Sequence, residues 1–407
     1  MSSKTLSFSR LRNSDVFMIA LSQRTLIYTP EHHLVNNKQL IICEIIRSLT
    51  NPVYDRALIK RDKVKKMRKP SSKKRATLED VARAAGVGPM TVSRTINNHP
   101  YVAEETAKRV RAAIRQLDYR PNQAARMLTG QLSRSIGLIV PDLADPFFSV
   151  VSHAVQEAAR ESGYLVWLAA SNDDPSIEAA QVEQMTHHPV DGILLVPVDS
   201  RHRYLKEVIS GTTPVVTIDR AIEVATTDSV EVENRTGARM AVEHLISHGH
   251  RKVACVATNS HLRTIKDRIS AYEECLKHTR LPQTKPLHLK SLEEAKTKLA
   301  TLFSQKTKPD ALFTTNNSST IWVIEALREM HMEAGKDVAL IGFDDVDFYT
   351  LITPPITAVR QPAAELGRMS TRLLLQRVHG ESTSSSVRTI LPVSLIVRES
   401  CGCKRKD

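Results

Sequence analysis

The sequence of 407 residues lacks long apolar runs, a secretory leader and a disulfide framework. No apolar stretch approaches the roughly 18 residues that a membrane-spanning helix requires. The apolar piece Val16–Ala20 is too short for the core of a secretory signal. The five cysteines are odd in number and scattered, which is typical of reduced thiols in a cytosolic protein. We therefore expect a cytoplasmic protein that does not cross a membrane.

Signatures of the common enzyme classes are also missing. The sequence contains no G-x-G-x-x-G, P-loop, G-x-S-x-G or H-E-x-x-H motif. Cys401 and Cys403 form a C-x-C pair without a partner pair at zinc-like spacing. His248 and His250 come at a predicted helix end, where a cation is favourable without any ligand role. We expect no catalytic activity, no cofactor and no metal site.

Positive charge is concentrated in the N-terminal third of the chain. Residues 1–130 hold 25 Lys and Arg against 10 Asp and Glu, a net charge of +15, whereas the remaining residues are near neutral. A basic end on a near-neutral body indicates contact with a polyanion, although a solvated basic tail has the same composition.

The first 75 residues differ from the rest of the chain in composition and in hydrophobic periodicity. Residues 1–66 show no clear hydrophobic period, and residues 60–75 form a basic run interrupted by Pro70. Such composition is typical of disordered chain. We expect an extension that is disordered or not part of the working protein, which would then begin at or near Met67. The alternative is a real extension whose apolar patch at Leu40–Ile46 docks on a partner.

Residues 76–119 have the pattern of compact helices. Thr77 is a candidate N-cap, Gly86 can take the positive φ that ends a first helix, and Pro89 suits the first position of a second helix. This pattern is typical of a helix-turn-helix, whose second helix lies in the DNA major groove, although an ordinary helical hairpin shares it. The pattern leaves Met90, Thr91, Ser93, Arg94 and Asn97 facing outward, and we predict that these residues and Thr77 contact DNA.

From Ser135 onward, apolar strands alternate with amphipathic helices. Predicted helices include Phe147–Glu161, Asn234–Ser247 and Thr320–Met330, and predicted strands are Ile136–Val140, Tyr164–Ala169, Gly192–Val196, Val215–Ile218, Val253–Ala257, Ala311–Thr314 and Val338–Ile341. This alternation predicts parallel sheets covered by helices on both faces, and its length suffices for two doubly wound lobes.

An ordered series of motifs resembles one family of regulators. Asp80–Arg94 has the pattern D-V-A-x-x-A-G-V-x-x-x-T-V-S-R, and further agreements follow at Val102–Thr106, Leu117–Asn122, Ala125–Leu128 and Ile136–Pro141. From about Ala76 to about Ser400, the chain resembles the LacI-type (lac repressor and galactose repressor) family of bacterial transcription regulators. The resemblance implies an N-terminal all-α helix-turn-helix headpiece followed by an α/β two-lobed, periplasmic-binding-protein-like domain with parallel sheets.

The resemblance also divides the chain and assigns DNA contacts. It implies a headpiece at residues 76–120, a hinge helix and linker at 121–133, a dimerising effector domain at 134–400 and a tail at 401–407. Pro89 and Met90 stand where family members place the residues that choose the operator. In the hinge, Asn122, Ala125 and Leu128 would reach the minor groove, with Leu128 as an apolar wedge in a base step. The implied partners are a palindromic DNA operator and a second copy of the chain.

Polar and aromatic residues lie at or beyond the carboxyl ends of the predicted strands, where open α/β sheets bind ligands. The predicted effector-binding set is Asp145, Phe147, Phe148, Asp219, Arg220, Arg268, Asn316, Asp344 and Gln361. Carboxylates, amides and arginines suit sugar hydroxyls, and Arg220 with Arg268 would also suit a carboxylate or phosphate. We expect a sugar or sugar acid, with a helix cap or an ion pair between lobes as the alternative for any single residue.

The predicted function is that of a sequence-specific transcription regulator, a repressor that binds its operator as a dimer under the control of a small-molecule effector. A secreted solute receptor would share the two-lobed body but would not need the helix-turn-helix or the basic end. An architectural DNA protein would not need the ligand-binding body. Steep salt dependence of DNA binding separates the regulator from the receptor.

We predict that Leu128→Ala lowers affinity for the specific operator and leaves nonspecific DNA binding nearly intact. The wedge acts only where the minor groove is opened, whereas nonspecific binding rests on phosphate contacts. Fluorescence anisotropy with operator and with scrambled duplex measures both affinities. Equal losses on the two duplexes would contradict the assignment.

Overall fold

The computed structural model describes residues 76–96, 99–120, 132–188, 190–258, 260–381 and 385–403, together with the backbone of three strands nearer the N-terminus. The chain divides into two compact units, Met1–Thr77 and Leu78–Asp407. Among the described residues, no helix combines the length and the apolar character that crossing a bilayer requires.

The N-terminal unit contains a small antiparallel sheet in the order β1-β2-β3, with β1 at Phe8–Arg10, β2 at Phe17–Leu21 and β3 at Arg24–Tyr28. In the pairing of β2 with β3, Phe17 lies opposite Tyr28 and Leu21 lies opposite Arg24. That the extension is disordered or not part of the working protein stays a prediction, although β2 and β3 are short runs rich in apolar residues. The patch at Leu40–Ile46 lies outside the described residues.

Three helices form the headpiece: α1 (Leu78–Ala85), α2 (Pro89–Ile96) and α3 (Glu104–Gln116). Val81, Val92 and Val110, one from each helix, are fully buried in one apolar cluster. Gly86 follows α1 with φ of +62°, a left-handed conformation that glycine adopts without steric cost. The helix, glycine turn and helix confirm the predicted helix-turn-helix.

The first lobe of the body contains a six-stranded sheet. Its strands are β4 (Ser135–Val140), β5 (Leu165–Ala170), β6 (Gly192–Leu195), β7 (Val215–Ile218), β8 (Asp228–Val232) and β14 (Arg388–Leu391). They pair in the order β14-β8-β7-β6-β4-β5, and every neighbouring pair is parallel. All of β4, β6, β7 and β8 is buried, as expected for strands covered on both faces.

The second lobe contains another six-stranded sheet. Its strands are β9 (Val253–Ala257), β10 (Leu287–His288), β11 (Ala311–Thr314), β12 (Ala339–Phe343), β13 (Thr357–Arg360) and β15 (Ser394–Ile396). Their order is β10-β9-β11-β12-β13-β15. The predicted parallel pairing is correct except at the edge, where β15 runs antiparallel to β13.

Helices cover both sheets. They are α4 (Pro146–Glu161), α5 (Pro175–His187), α6 (Arg203–Ile209), α7 (Asn234–Ser247), α8 (Arg263–His278), α9 (Leu292–Phe303), α10 (Asn317–Glu329) and α11 (Ala363–Val378), with a 3₁₀ turn at Asp347–Thr350. Asp145, Ser291 and Asn316 cap α4, α9 and α10, because each side chain accepts a hydrogen bond from a backbone N–H of the first turn.

The chain passes between the two lobes three times. It leaves the first-lobe strand β8 for α7, which packs on the second-lobe sheet, and it returns from β13 through Gln361 to α11. It crosses again between β14 and β15. Each lobe is therefore assembled from segments that are far apart in sequence.

Helices α4 and α11 pack closely in the first lobe. Gly367 of α11 lies against the backbone of α4, so that a Cβ built on it would stand 2.6 Å from the carbonyl oxygen of Val151 and 3.0 Å from Cβ of Ala154. The close approach of these two helices requires a residue without a side chain at this position.

We expect Gly367→Ala to lower the free energy of unfolding by about 1–3 kcal/mol, as overpacking of a core does. Alanine is more stable than glycine in a helix interior by about 0.5–1 kcal/mol. Helix propensity alone would therefore make Gly367→Ala more stable than the wild type, whereas overpacking makes it less stable. Urea denaturation of the wild type, Gly367→Ala and a control, Gly88→Ala, measures it. Gly88 is a suitable control because a Cβ built on it would meet no neighbouring atom within 4 Å. A stabilised Gly367→Ala would mean that the helices can move apart without cost.

Candidate DNA-binding and effector-binding sites

Helix α2 presents the candidate DNA-reading surface. Met90 is 66% exposed, and Pro89 and Arg94 are exposed beside it, while Thr91 and Ser93 are half-buried. Short polar groups and an arginine on one exposed helix face can meet base edges and phosphates. The residues predicted from the sequence to face DNA therefore share the open side of α2.

The opposite face of α2 is part of the core. Thr95 is 4% exposed, and its hydroxyl donates a hydrogen bond to the carbonyl of Thr91 at 2.8 Å. Thr77 is exposed directly before α1, and α3 adds exposed cations at Lys108, Arg109, Arg111 and Arg115. The other predicted DNA contacts, Asn97, Asn122, Ala125 and Leu128, lie outside the described residues.

Arg268 is the buried cation of the second lobe, with 3% of its surface exposed. Its Nε donates to Oδ1 of Asn234 at 2.8 Å, and its Nη1 donates to the carbonyl of Thr315 at 2.7 Å. The guanidinium carbon lies 3.6 Å from the centre of the Phe343 ring. Burial lowers the pKa of Arg268 and the nearby carboxylate of Asp344 opposes that shift; arginine remains charged in such surroundings.

Asp344 lies beside Arg268 at the end of β12, with φ of +73°. Its Oδ2 accepts a hydrogen bond from the backbone N–H of Asn317 at 3.3 Å and stands 3.9 Å from Nη1 of Arg268. Its Oδ1 accepts from Nε2 of Gln361. The amide oxygen of the Gln361 side chain, Oε1, is buried and has no hydrogen-bond partner among the described residues.

Two contacts join the lobes near this cluster. Nδ2 of Asn317 in the second lobe donates to Oδ1 of Asp145 in the first lobe at 2.7 Å. Arg263 of the second lobe lies 3.6 Å from Glu223 of the first lobe. Separation of the lobes would break both contacts.

The first lobe contributes a second pair of charges. Asp219 has φ of +66°, and its Oδ2 stands 3.4 Å from Nε of Arg220. Nη1 of Arg220 donates to the carbonyl of Pro197 at 3.2 Å, and the guanidinium carbon lies 5.9 Å from the centre of the Phe148 ring. Burial raises the pKa of Asp219, and its Oδ1 is buried without a hydrogen-bond partner in the described part of the chain.

Most of the predicted effector set thus converges on the facing ends of the two sheets, and its role in binding stays a prediction. Asn316 is engaged as a helix cap, since its Oδ1 accepts from the N–H of Ser319 at 3.0 Å and its Nδ2 donates to Thr258 at 2.8 Å. Phe147 and Phe148 are 9% and 6% exposed and pack edge to face in the first-lobe core.

A cavity of about 490 Å³ opens between the lobes, and Arg220 connects it to the buried cluster. The first lobe supplies most of its wall, and the second lobe supplies the start of α8. Its ionisable lining residues are Asp173, Asp199, Arg201, Arg220, Glu223, His261, Arg263, Lys266 and Asp267. The volume suits a small organic molecule.

Three residues that support this region were not found from the sequence. Asn234 and Asn317 start helices and bond directly to the predicted set. Glu178 is fully buried, and its Oε2 accepts from the N–H of Val198, which lines the cavity, at 2.8 Å. Its other oxygen accepts from the hydroxyl of Tyr204, and burial raises the pKa of Glu178 to about 7. A polar residue at a helix start was the only available signal for the two asparagines.

Two family models match the chain. The model described as "Bacterial regulatory proteins, lacI family" matches residues 77–122, and the model for a periplasmic binding protein-like domain matches residues 242–401. The HTH-type transcriptional repressor PurR of Haemophilus influenzae (strain PittEE) is 30% identical over 331 residues, which are 80% of this chain and 98% of the relative.

Solved structures have the same fold over most of the chain. The lac repressor dimer bound to operator and the anti-inducer ONPF matches with a TM-score of 0.72 at 25% identity, covering 81% of this chain and 99% of that one. The complex of the transcriptional regulator CelR with cellobiose matches with a TM-score of 0.60 at 29% identity, covering 80% of this chain and 100% of that one.

Asp145 provides a test of the junction between the lobes. Burial, and next the carboxylate of Asp344, raise the pKa of Asp145 to about 6. The folded protein binds the proton of Asp145 more tightly than the unfolded chain does. The contribution of this proton to the free energy of unfolding is therefore largest below pH about 4, and it is lost as the pH rises through about 6. The ionised carboxylate therefore costs stability at neutral pH.

We expect Asp145→Asn to raise the free energy of unfolding at pH 7.5 by about 1–2 kcal/mol and to flatten its pH dependence between pH 4 and 6.5. The amide oxygen can still accept from Asn317 and from the N–H of Phe147. Thermal unfolding across this pH range measures the effect, with Asp142→Asn as the exposed control. Identical pH profiles for wild type and Asp145→Asn would contradict the raised pKa.

Proposed function

The chain belongs to the lacI family of bacterial regulatory proteins, and on that premise we propose that it represses transcription by binding a palindromic operator as a dimer, under the control of a sugar or sugar acid. It is a regulator and not an enzyme, in line with relatives that are transcriptional repressors. Because its target is operator DNA, we place the protein in the cytoplasm. We assign residues 76–120 to the headpiece, 121–133 to the hinge and 134–400 to the effector domain.

The observation that carries the proposal is the polar cluster at the junction of the lobes, next to an interlobe cavity. Asp145 of one lobe bonds to Asn317 of the other, and Arg220 belongs to both the cluster and the cavity wall. A ligand that binds here contacts both lobes at once. Such a ligand favours one relative position of the lobes, which is how a small molecule can control a DNA-binding dimer.

The chemistry of the junction supports a hydroxylated, sugar-like effector. Oδ1 of Asp219 and Oε1 of Gln361 are buried acceptors that need a donor, and sugar hydroxyls supply donors in several directions. Arg201, Arg220 and Lys266 around the cavity add cations that suit the carboxylate of a sugar acid. CelR, a relative of the same fold, has been solved with cellobiose.

The edge of the first-lobe sheet supports the proposed dimer. Among the described strands, β5 is at the edge of its sheet and pairs only with β4, and Leu165 and Trp167 on it are 68% and 50% exposed. Val150 on the neighbouring helix α4 is 47% exposed. Exposed apolar residues on a strand edge favour burial against another chain, and the lac repressor structure of the same fold is a dimer.

For DNA recognition, we propose that Pro89 and Met90 select the operator sequence and that Thr91, Ser93 and Arg94 contact base edges and phosphates. The hinge residues Asn122, Ala125 and Leu128 would follow in the minor groove. Two headpieces in a dimer would read the two halves of a palindrome.

The experiment combines a ligand screen with operator binding. A sugar or sugar acid that binds the folded protein will raise its thermal midpoint, and the same compound will change its affinity for a palindromic operator at two chains per duplex. We expect Asp344→Asn, which keeps a residue tolerant of positive φ, to weaken the effector response about ten- to a hundredfold, since a hydrogen bond to a charged group contributes ~1.5–3 kcal/mol.

The matched control for this prediction is Asp347→Asn, an exposed carboxylate three residues away. Both variants should retain operator affinity in the absence of effector, because neither lies in the headpiece. If Asp344→Asn responds at wild-type effector concentrations, Asp344 is not in the binding site. If no compound in a broad screen of sugars and sugar acids changes both the thermal midpoint and the operator affinity, the proposal that a sugar controls this protein is wrong.

A further inference from the structure

A cluster of imidazoles and thiols lies on the second lobe, away from the junction described above. His244 is in the last turn of α7 and His248 follows that helix. Cys401 and Cys403 come from the segment after β15, and Gly402 between them has φ of +82°. The fold thus joins a histidine pair and a C-x-C pair that are about 150 residues apart in sequence.

Two distances within the cluster are close to those between the ligand atoms of a tetrahedral metal site. Nε2 of His244 lies 3.2 Å from Sγ of Cys403 and 3.4 Å from Sγ of Cys401. One ligand atom each from His244, His248 and Cys403 lie within 4.8 Å of one another. The ligand atoms of a tetrahedral zinc ion stand roughly 3.3–3.8 Å apart, given Zn–N bonds of about 2.0–2.1 Å and Zn–S bonds of about 2.3 Å. Cys401 is outside that group of three, but its Sγ has the 3.4 Å contact with His244, which places it beside the other ligand atoms.

The surroundings orient the ligand atoms as metal sites require. Nδ1 of His248 lies 2.8 Å from the carbonyl of His244, and a proton donated there leaves Nε2 with its lone pair. The hydroxyl of Thr357 donates to Sγ of Cys401 at 3.3 Å. His278 makes the same ring-to-backbone bond at 2.8 Å but belongs to no such cluster, so that bond alone does not define the site.

We propose that His244, His248, Cys401 and Cys403 bind one zinc ion, which ties the C-terminal segment of the second lobe to the end of α7. A set of two thiolates and two imidazoles in tetrahedral arrangement favours zinc over harder cations such as magnesium or calcium. With all four positions taken by the protein, the ion is structural and leaves no site for a reacting water. Its binding contributes to the stability of the second lobe.

The test uses the full chain, purified without an affinity tag, reduced and stripped with a chelator. Titration with Co²⁺ should give thiolate-to-cobalt charge-transfer absorption that saturates at one equivalent and disappears when Zn²⁺ is added. Cys403→Ser and His248→Gln should each weaken Zn²⁺ binding at least tenfold, measured by competition with a chelator of known affinity. The matched control His278→Gln should bind Zn²⁺ as the wild type does.

Thermal unfolding separates a lost site from a misfolded variant. Because His248 is exposed, His248→Gln should have the same unfolding midpoint as the wild type in the presence of chelator. Zn²⁺ should raise the midpoint of the wild type and of His278→Gln, and should raise that of His248→Gln less. Absence of thiolate-to-cobalt absorption in the wild type would overturn the proposal. An equal loss of Zn²⁺ affinity in His278→Gln and His248→Gln would overturn it as well.

Discussion

The three passages of the chain between the lobes are the constraint on which the rest of the body depends. The last strand of each sheet, β14 or β15, follows a segment of the chain that belongs to the other lobe. The lobes can therefore move relative to one another only if these connecting segments bend. Asn234 begins the helix after the first passage, and Gln361 lies in the second. The polar cluster is therefore built on the segments that must change when the lobes move.

Charge balance explains how so polar a cluster can be buried. Two arginines, Arg220 and Arg268, lie among the carboxyl groups of Asp219 and Asp344, and the carboxyl group of Asp145 stands near that of Asp344. Full ionisation would leave one excess negative charge in surroundings where unpaired charge is costly. Burial raises the pKa of Asp145 and of Asp219, so both carboxyl groups release their protons less readily than a free aspartate, which reduces the excess. Hydrogen bonds to charged groups are stronger in a buried site of low dielectric constant than in water, provided that each charged group has a hydrogen-bond partner.

Most of the fold could be predicted from the sequence, because the β and α periods are regular. Predicted strands at Val215–Ile218, Val253–Ala257 and Ala311–Thr314 match the structure residue for residue. The short strands Arg388–Leu391 and Ser394–Ile396 were missed, since their place in a sheet is set by distant partners rather than by local pattern. The same reason applies to the polar contacts. Strand ends indicated Asp344 and Arg268, whereas their partners Asn317 and Asn234 lie on other elements of the second lobe, far away in sequence, and became evident only in the folded structure.

The position of β14 in the first-lobe sheet has a consequence for how the protein is made. β14 pairs with β8, and about 160 residues separate the two strands. At about 5–20 residues per second, the ribosome needs about 8–30 s to deliver β14 after β8 has emerged. During that interval the outer edge of β8 is unpaired, and all of the second-lobe sheet except β15 is synthesised before the first is complete. The first-lobe sheet can therefore be completed only after the second-lobe strands β9 to β13 have been synthesised, and its open strand edge needs protection on the nascent chain during that time.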